Sequence, residues 1–278
     1  MDVAEERNAG TLAQQTNFDG WPKPGELIEI TGAHALEAGD RYALNVLFEH
    51  AHDSGRLAAP GAEWELPLAR LRPSETHKGN ERVRDSLRRL AAVVLTVPIY
   101  DAKRDQARTL ITNLFAYLDM SRDEDSPGAT VRYAVAIKLG ALLEQSRRWG
   151  RIKAEVICAM RSKYAIALYE LVRLRAERRD SVETFDLDRF RDLMGVPPGK
   201  LLRGADLTQY CIEPAVLEVN ALSEMQVDVK LDRASPRAPI RKVLVTWRRK
   251  SGPSYRAAVE LRQEPKSRRS AGRLKATA

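Results

Sequence analysis

FDLDRFRDLMGVPPGKLLRGADLTQYCIEPAVLEVN, residues 185–220, is the stretch whose reading decides the fold. A short extended piece at Thr184–Phe185 leads into a helix over Leu187–Met194, with Asp186 placed to cap it and Gly195 placed to stop it. Pro197-Pro198-Gly199 makes a turn, and a further helix begins near Leu207. Leu207, Cys211, Ala215, Val219 and Leu222 share its apolar face. Asp206, Gln209, Tyr210, Glu213 and Asn220 lie on the other, and Pro214 kinks the helix or cuts it in two. Downstream, Val227, Val229 and Leu231 alternate with polar residues, as do Val243, Val245 and Trp247 across a turn at 233–239. Helix, turn, helix, hairpin is the order of a winged helix.

Charge points the same way. Residues 229–278 hold 15 Lys/Arg against 3 Asp/Glu, a net of +12, whereas the whole chain carries +8, so residues 1–228 sum to −4. A local cationic face beside a helix–turn–helix suits a polyanion, and double-stranded DNA is the commonest. For residues 252–278 alone, a solvated and disordered basic tail fits equally well.

Upstream, Tyr164, Ala167, Leu168, Leu171 and Val172 form an apolar stripe on a helix over Arg161–Arg178, with Lys163, Glu170, Arg173 and Glu177 on its other face. Ser146–Lys153 (SRRWGRIK) reads as a domain junction, and the first half repeats the logic of the second. Its helices are expected over Ala38–Asp53, Glu81–Ala91 and Leu139–Arg147. Its strands are expected over Trp64–Leu66, Val93–Tyr100, Thr109–Leu118 and Val131–Ile137, with a turn of helix near Leu68–Arg72. The fold class is therefore α+β, two tandem winged-helix domains. Residues 1–25 form a flexible arm, 26–149 the first winged helix, 150–250 the second, and 251–278 a basic tail. Met1–Gly10 is acidic without an apolar core, unlike a signal peptide, and the longest apolar run, Ala91–Ile99, is far short of a bilayer span. Cys158 and Cys211 read as buried thiols of a reducing compartment, so a cytoplasmic, nucleoid- or plasmid-associated bacterial protein is expected, with no membrane partner.

The strings SKYAIALYELVRLR (Ser162–Arg175), FDLDRFRDLMGV (Phe185–Val196) and EPAVLEVN (Glu213–Asn220) resemble the iteron-binding plasmid replication initiators. The resemblance is strongest over 155–248 and extends in element order back to about residue 26. It implies binding to directly repeated duplex DNA at a plasmid origin, with the C-terminal domain reading the major groove. It also implies a monomer active in initiation, a dimer made through the N-terminal domain that represses its own promoter, and recruitment of host initiator and helicase. One departure stands out. Where the family has an aromatic followed by basic residues, this chain has Leu207-Thr208-Gln209-Tyr210-Cys211.

The candidate DNA-binding residues follow. In the second domain they are Lys200, Arg203, Gln209, Tyr210, Lys230, Arg233, Arg237, Arg241 and Lys242. In the first they are Lys78, Arg82, Arg84, Arg88, Arg89, Lys103 and Arg104. Direct readout can use Gln209, which pairs bidentately with adenine, and Arg203 or Lys200 at the helix entrance, or Asp206-x-x-Gln209 can form a reciprocal helix cap; Tyr210 either reaches DNA or packs against the wing. No catalytic residue, cofactor or metal is expected. GVPPGKL (Gly195–Leu201) lacks phosphate-loop spacing, and His50-Ala51-His52 falls at a helix end, where side chains two apart diverge. The alternatives are a plain winged-helix repressor and a metal-dependent rolling-circle nickase using Tyr164 or Tyr169.

Overall fold

The structure is a computed structural model that describes residues 10–30, 32–55, 57, 59, 61–73, 80–101, 104–122, 126, 128–233, 235 and 238–278. The chain divides into two compact units, Met1–Trp149 and Gly150–Ala278.

In the first unit, strand β1 (Trp21–Pro24) and the short helix α1 (Gly25–Ile28) precede helix α2 (Ala38–Asp53). Strand β2 (Trp64–Pro67), a 3-10 turn (Leu68–Leu71) and helix α3 (Glu81–Ala91) follow. Then come β3 (Val94–Asp101), β4 (Gln106–Asn113), β5 (Phe115–Met120), β6 (Thr130–Val135) and helix α4 (Ile137–Glu144). The sheet β2-β6-β5 is antiparallel and pairs Trp64 with Tyr133 and Leu66 with Val131. Its inner face meets α2 in an aromatic cluster. Phe48 lies 5.4 Å from Phe115, and Trp64 lies 5.5 Å from Tyr133. Helices α2 and α3 are pinned by Asp40, whose buried carboxylate accepts from the Glu37 N–H (2.8 Å), the Ser86 hydroxyl (2.5 Å) and Arg89 (2.7 and 2.8 Å). A buried charge this well paired fixes how the two helices meet.

Two expectations fail in this unit. The arm expected over 1–25 is anchored at Leu12 and at Trp21–Pro24, although Phe18 between them is 74% exposed. Leu12 is buried and its N–H donates to the Ser146 carbonyl (2.8 Å), and the buried Trp21 indole donates to Asn45 (3.2 Å). Residues 1–9 lie outside the described residues. The strand expected over Thr109–Leu118 is two strands that break at the buried Leu114, because β4 pairs with β3 as a hairpin while β5 crosses to pair with β6.

The second unit begins with the end of β7 (Trp149–Ile152) and helix α5 (Ala154–Ala159), the latter not anticipated in the sequence. Helix α6 (Lys163–Arg173) is its axis, and Ala165 through Arg173 are all buried. Glu170 and Arg173, expected on a solvent face, are therefore internal. Arg173 is held by the Arg151 carbonyl (2.7 Å) and Glu224 (3.3 Å), and the buried Tyr169 hydroxyl donates to the same Glu224 (3.1 Å). Strand β8 (Val182–Asp186), helix α7 (Leu187–Met194) and helix α8 (Gly204–Leu207) follow. Helix α8 runs on through a π turn (Thr208–Ile212) into helix α9 (Glu213–Leu222), with Pro214 accommodated near the start of α9. Strands β9 (Met225–Asp232) and β10 (Lys242–Arg249) form the hairpin, and β10 is central in the antiparallel sheet β8-β10-β9.

Asn220, expected on the polar face, is buried. It joins helix to hairpin by donating to the Val227 carbonyl (2.9 Å) and accepting from the Val227 N–H (2.7 Å). The segment 251–278 is also ordered rather than a loose tail. It forms helices α10 (Gly252–Gln263) and α11 (Ala271–Thr277), anchored by the buried Ala258 and Leu261. Its cations close the carbonyl ends of other helices. Arg262 donates to Leu222 O (2.9 Å), Arg269 to Ala159 O (2.9 Å) and Lys266 to Met160 O (3.2 Å). A positive group at a helix C-terminus meets both unpaired carbonyls and the negative end of the dipole. Close packing also constrains Gly150, where an added β-carbon would sit 2.7 Å from the Leu174 nitrogen.

Asn220→Ala leaves two buried backbone groups of Val227 without partners. We expect it to destabilise the second unit by about 1–3 kcal/mol for each group left unpaired, read as a lowered urea midpoint at unchanged slope.

Candidate nucleic-acid interface

The interface of the second unit is built around the segment between α7 and α8. Phe190, Leu193 and Met194 bury the inner face of α7, and Gly195, at φ +70°, ends it in the left-handed conformation that glycine adopts without cost. Asp186 stands at the N-cap position, as expected, without a side-chain cap bond. The turn is tied by Lys200 N–H to Pro197 O (3.1 Å). Leu201 sits at φ +50°, a region a leucine rarely adopts. Arg191 supports it from α7, donating to Leu201 O (2.6 Å) and, with its second nitrogen, to Lys200 O.

Beyond the turn, Leu207, Cys211, Ala215, Val219 and Leu222 face inward, all buried as expected. Burial pushes the Cys211 thiol up to about 12, while Cys158 is only part-buried. The outer face presents Ala205, Gln209, Tyr210 and Glu213, all exposed. Gly204, Ala205, Thr208, Gln209 and Glu213 line one side of an open groove of about 520 Å³, and Leu231 and Arg233 of the hairpin line the other. The Arg233 guanidinium comes close to the helix start, 3.2 Å from where a β-carbon on Gly204 would lie. The reciprocal cap considered for Gln209 is not formed. The helix begins at Gly204 with Arg203 at the N-cap, which places Asp206 inside the first turn. Tyr210 is 57% exposed, so its ring is not packed away under the hairpin.

Lys200, Arg203, Arg241 and Lys242 are exposed around this groove and hairpin. Lys230 is exposed too and lies 3.1 Å from Asp228. The loop end of the hairpin is joined to α7 by Leu187 N–H to Arg241 O (2.8 Å). Arg237 lies outside the described residues. The sequence reading missed Leu202, which is 74% exposed beside Arg203, and the scaffolding role of Arg191. A leucine between a lysine-led turn and an arginine was the available signal for the first. Nothing in the spacing marked the second.

The candidates of the first unit are less unified. Arg82 and Arg104 are exposed and Arg84 is half-buried. Arg88 pairs with Asp85 (2.9 Å) on the surface of α3. Arg89 is taken up by the buried Asp40, which commits it to the fold instead. Lys78 and Lys103 lie outside the described residues.

The histidines and Tyr169, considered for nicking chemistry, have other surroundings. Tyr133 donates to Leu47 O (2.7 Å), leaving its oxygen to accept from Nδ1–H of His50 (3.0 Å). His52 turns instead toward Trp21, with ring centroids 6.5 Å apart. The two rings diverge, as side chains two apart on a helix must. Tyr169 is fully buried, and its hydroxyl is held well above the usual range, first by burial and then by the Glu224 charge. Among the described residues no three His, Cys, Asp or Glu side chains converge to hold a metal. Nor, among those residues, is any helix long and apolar enough to cross a membrane.

A helix–turn–helix whose second helix shares a groove with a two-stranded hairpin defines a winged helix, and family comparison places both halves. The model described as "Initiator Replication protein, WH1" matches residues 66–173, and "Initiator Rep protein, WH2" matches residues 186–239. The chain belongs to this family of plasmid replication initiators with tandem winged helices. Among solved structures, the Pi initiator protein in complex with iteron DNA is similar with a TM-score of 0.56 at 15% identity, over 83% of this chain and 97% of that one. RctB domains 2–3 give a TM-score of 0.42 at 12% identity, over 75% and 80%. The WH1 domain of MSBI1.176, a replication protein isolated from a multiple sclerosis patient, gives 0.30 at 12%, over 43% and 89%. The likeness to the Pi protein is one of fold. No curated protein sequence matches the chain.

Burial lowers the pKa of His50 below 6.5, the nearby Arg70 charge lowers it further, and Asp53 partly opposes both. The folded state thus prefers neutral His50. Its contribution to stability is complete above pH 6.5 and is lost as pH falls through the lowered value. We expect His50→Gln to lose less stability than the wild type between pH 7.5 and 5.5, in paired urea titrations.

Proposed function

We propose that this protein initiates plasmid replication by binding repeated double-stranded DNA sites at the origin, and that as a dimer it represses its own promoter. The observation that carries this reading is the groove between the α8–α9 helix and the β9–β10 hairpin, which has a hydrogen-bonding side chain, Gln209, at its wall and Arg233 at its rim. In this reading the outer face of α8 and the π turn enters the major groove, where Gln209 pairs with adenine. Lys200, Arg203, Lys230, Arg233, Arg237, Arg241 and Lys242 grip phosphates, and Tyr210 stacks at the edge. In the first unit Lys78, Arg82, Arg84, Arg88, Lys103 and Arg104 serve a second duplex contact, while Arg89 stays with Asp40.

The action is positional rather than covalent. Binding at adjacent repeats strains the duplex and helps an A·T-rich neighbour to open. Host initiator and helicase then load. Self-association is assigned to the first unit, supported by the β3–β4 hairpin. There Val94 (51% exposed) and Ile111 (68% exposed) present apolar side chains, and β4 pairs on one side only among the described strands.

Footprinting on the DNA flanking the gene tests the whole reading. Protection of tandem direct repeats supports initiation, and protection of a lone promoter site favours a plain repressor. For Arg233→Ala and Arg241→Ala we expect weaker binding to all sequences and a salt slope reduced by about one. A change in base preference at unaltered slope would contradict the phosphate role. For Gln209→Ala we expect relaxed preference at one base pair, a loss of about 1–3 kcal/mol in discrimination measured by competition binding.

A further inference from the structure

The turn before the recognition helix holds an apolar side chain out in water. Leu202 is 74% exposed, yet the backbone leading to it is fixed. Arg191 donates to the carbonyls of Lys200 and Leu201, and Leu201 is held at φ +50°. That conformation needs outside support, and the guanidinium supplies it. Leu202 is therefore presented by the scaffold. Its neighbours matter as much. Lys200 and Arg203 are both exposed, one on either side, and the helix that starts at Gly204 carries Ala205 and Gln209 along the groove wall.

A lone exposed leucine needs no explanation. A leucine pinned between two cations at the entrance to a groove-binding helix fits a surface that is anionic overall and offers a small apolar group. The major groove of duplex DNA has one such group, the C5-methyl of thymine, flanked by phosphates. A lipid surface would call for a wider apolar face, and an acidic protein partner would leave the helix-and-hairpin groove beside Leu202 without a use.

We propose that Leu202 is a base-reading residue that packs against a thymine methyl while Lys200 and Arg203 hold neighbouring phosphates. The inference rests on the reading that this face of the second unit binds DNA. The full-length protein is used to select a binding sequence from a pool of random duplexes. The selected duplex is then resynthesised with deoxyuridine in place of each thymine in turn, which removes only the methyl.

At one thymine we expect the change to weaken wild-type binding about four-fold, the worth of one carbon withdrawn from water. Leu202→Ala should bind the two duplexes equally there, at an unchanged salt slope, and Leu202→Met should keep the dependence. An unchanged melting temperature for Leu202→Ala verifies the fold, since an exposed side chain has little packing to lose. If every replacement affects wild type and Leu202→Ala alike, the inference is overturned and the DNA-binding reading survives. If no sequence is enriched over the pool, that reading falls too.

Discussion

One guanidinium sets the geometry of the interface. Arg191 extends from α7 and takes two consecutive carbonyls of the following turn, Lys200 and Leu201. The fork of an arginine suits this, because its donors are coplanar and rigid relative to one another, where a lysine would offer a single point. Everything the recognition helix presents is downstream of that contact. The left-handed Leu201, the N-cap at Arg203 and the helix start at Gly204 follow in order. Phe190 and Met194, buried on the same helix, anchor α7 in the core.

The elements that were legible in the sequence share a property: their large apolar residues recur at helical spacing. Helix α2 buries Leu44, Leu47, Phe48 and Ala51, and the π turn and α9 bury Cys211, Ala215, Val219 and Leu222 in one line. Both can be read from spacing alone. The polar residues of helix α6 could not be read in that way, because the helix is surrounded. Glu170 and Arg173 look like a solvent face in a pattern, and only the presence of Glu224 and the Arg151 carbonyl makes their burial tolerable. Asn220 misled for a related reason, since its partner Val227 lies across the helix–strand corner.

Charge was legible as a total but not by assignment. The basic excess of residues 229–278 is real, yet it divides between two tasks. The described hairpin cations Lys230, Arg233, Arg241 and Lys242 stay at the surface. Arg262, Lys266 and Arg269 are spent inside, closing helix ends. Burial leaves its mark on this group, lowering the pKa of Lys266 and of Arg269. Lys250, buried at the end of β10, is brought down to about 8 in the same way. Counting residues cannot separate a cation that seeks a partner outside from one that has found a carbonyl within.

The bond from Leu187 N–H to Arg241 O ties the loop end of the hairpin to the helix that also carries Arg191. Both jaws of the groove are thereby bolted to α7, one at its first residue and the other one turn later. Among the described residues, both walls are thus tied to one helix. On the proposed reading, misfit between protein and site must be absorbed by the more compliant body, the double helix, whose steps differ in stiffness. Sequences that flex easily would then be favoured at positions that no side chain reaches.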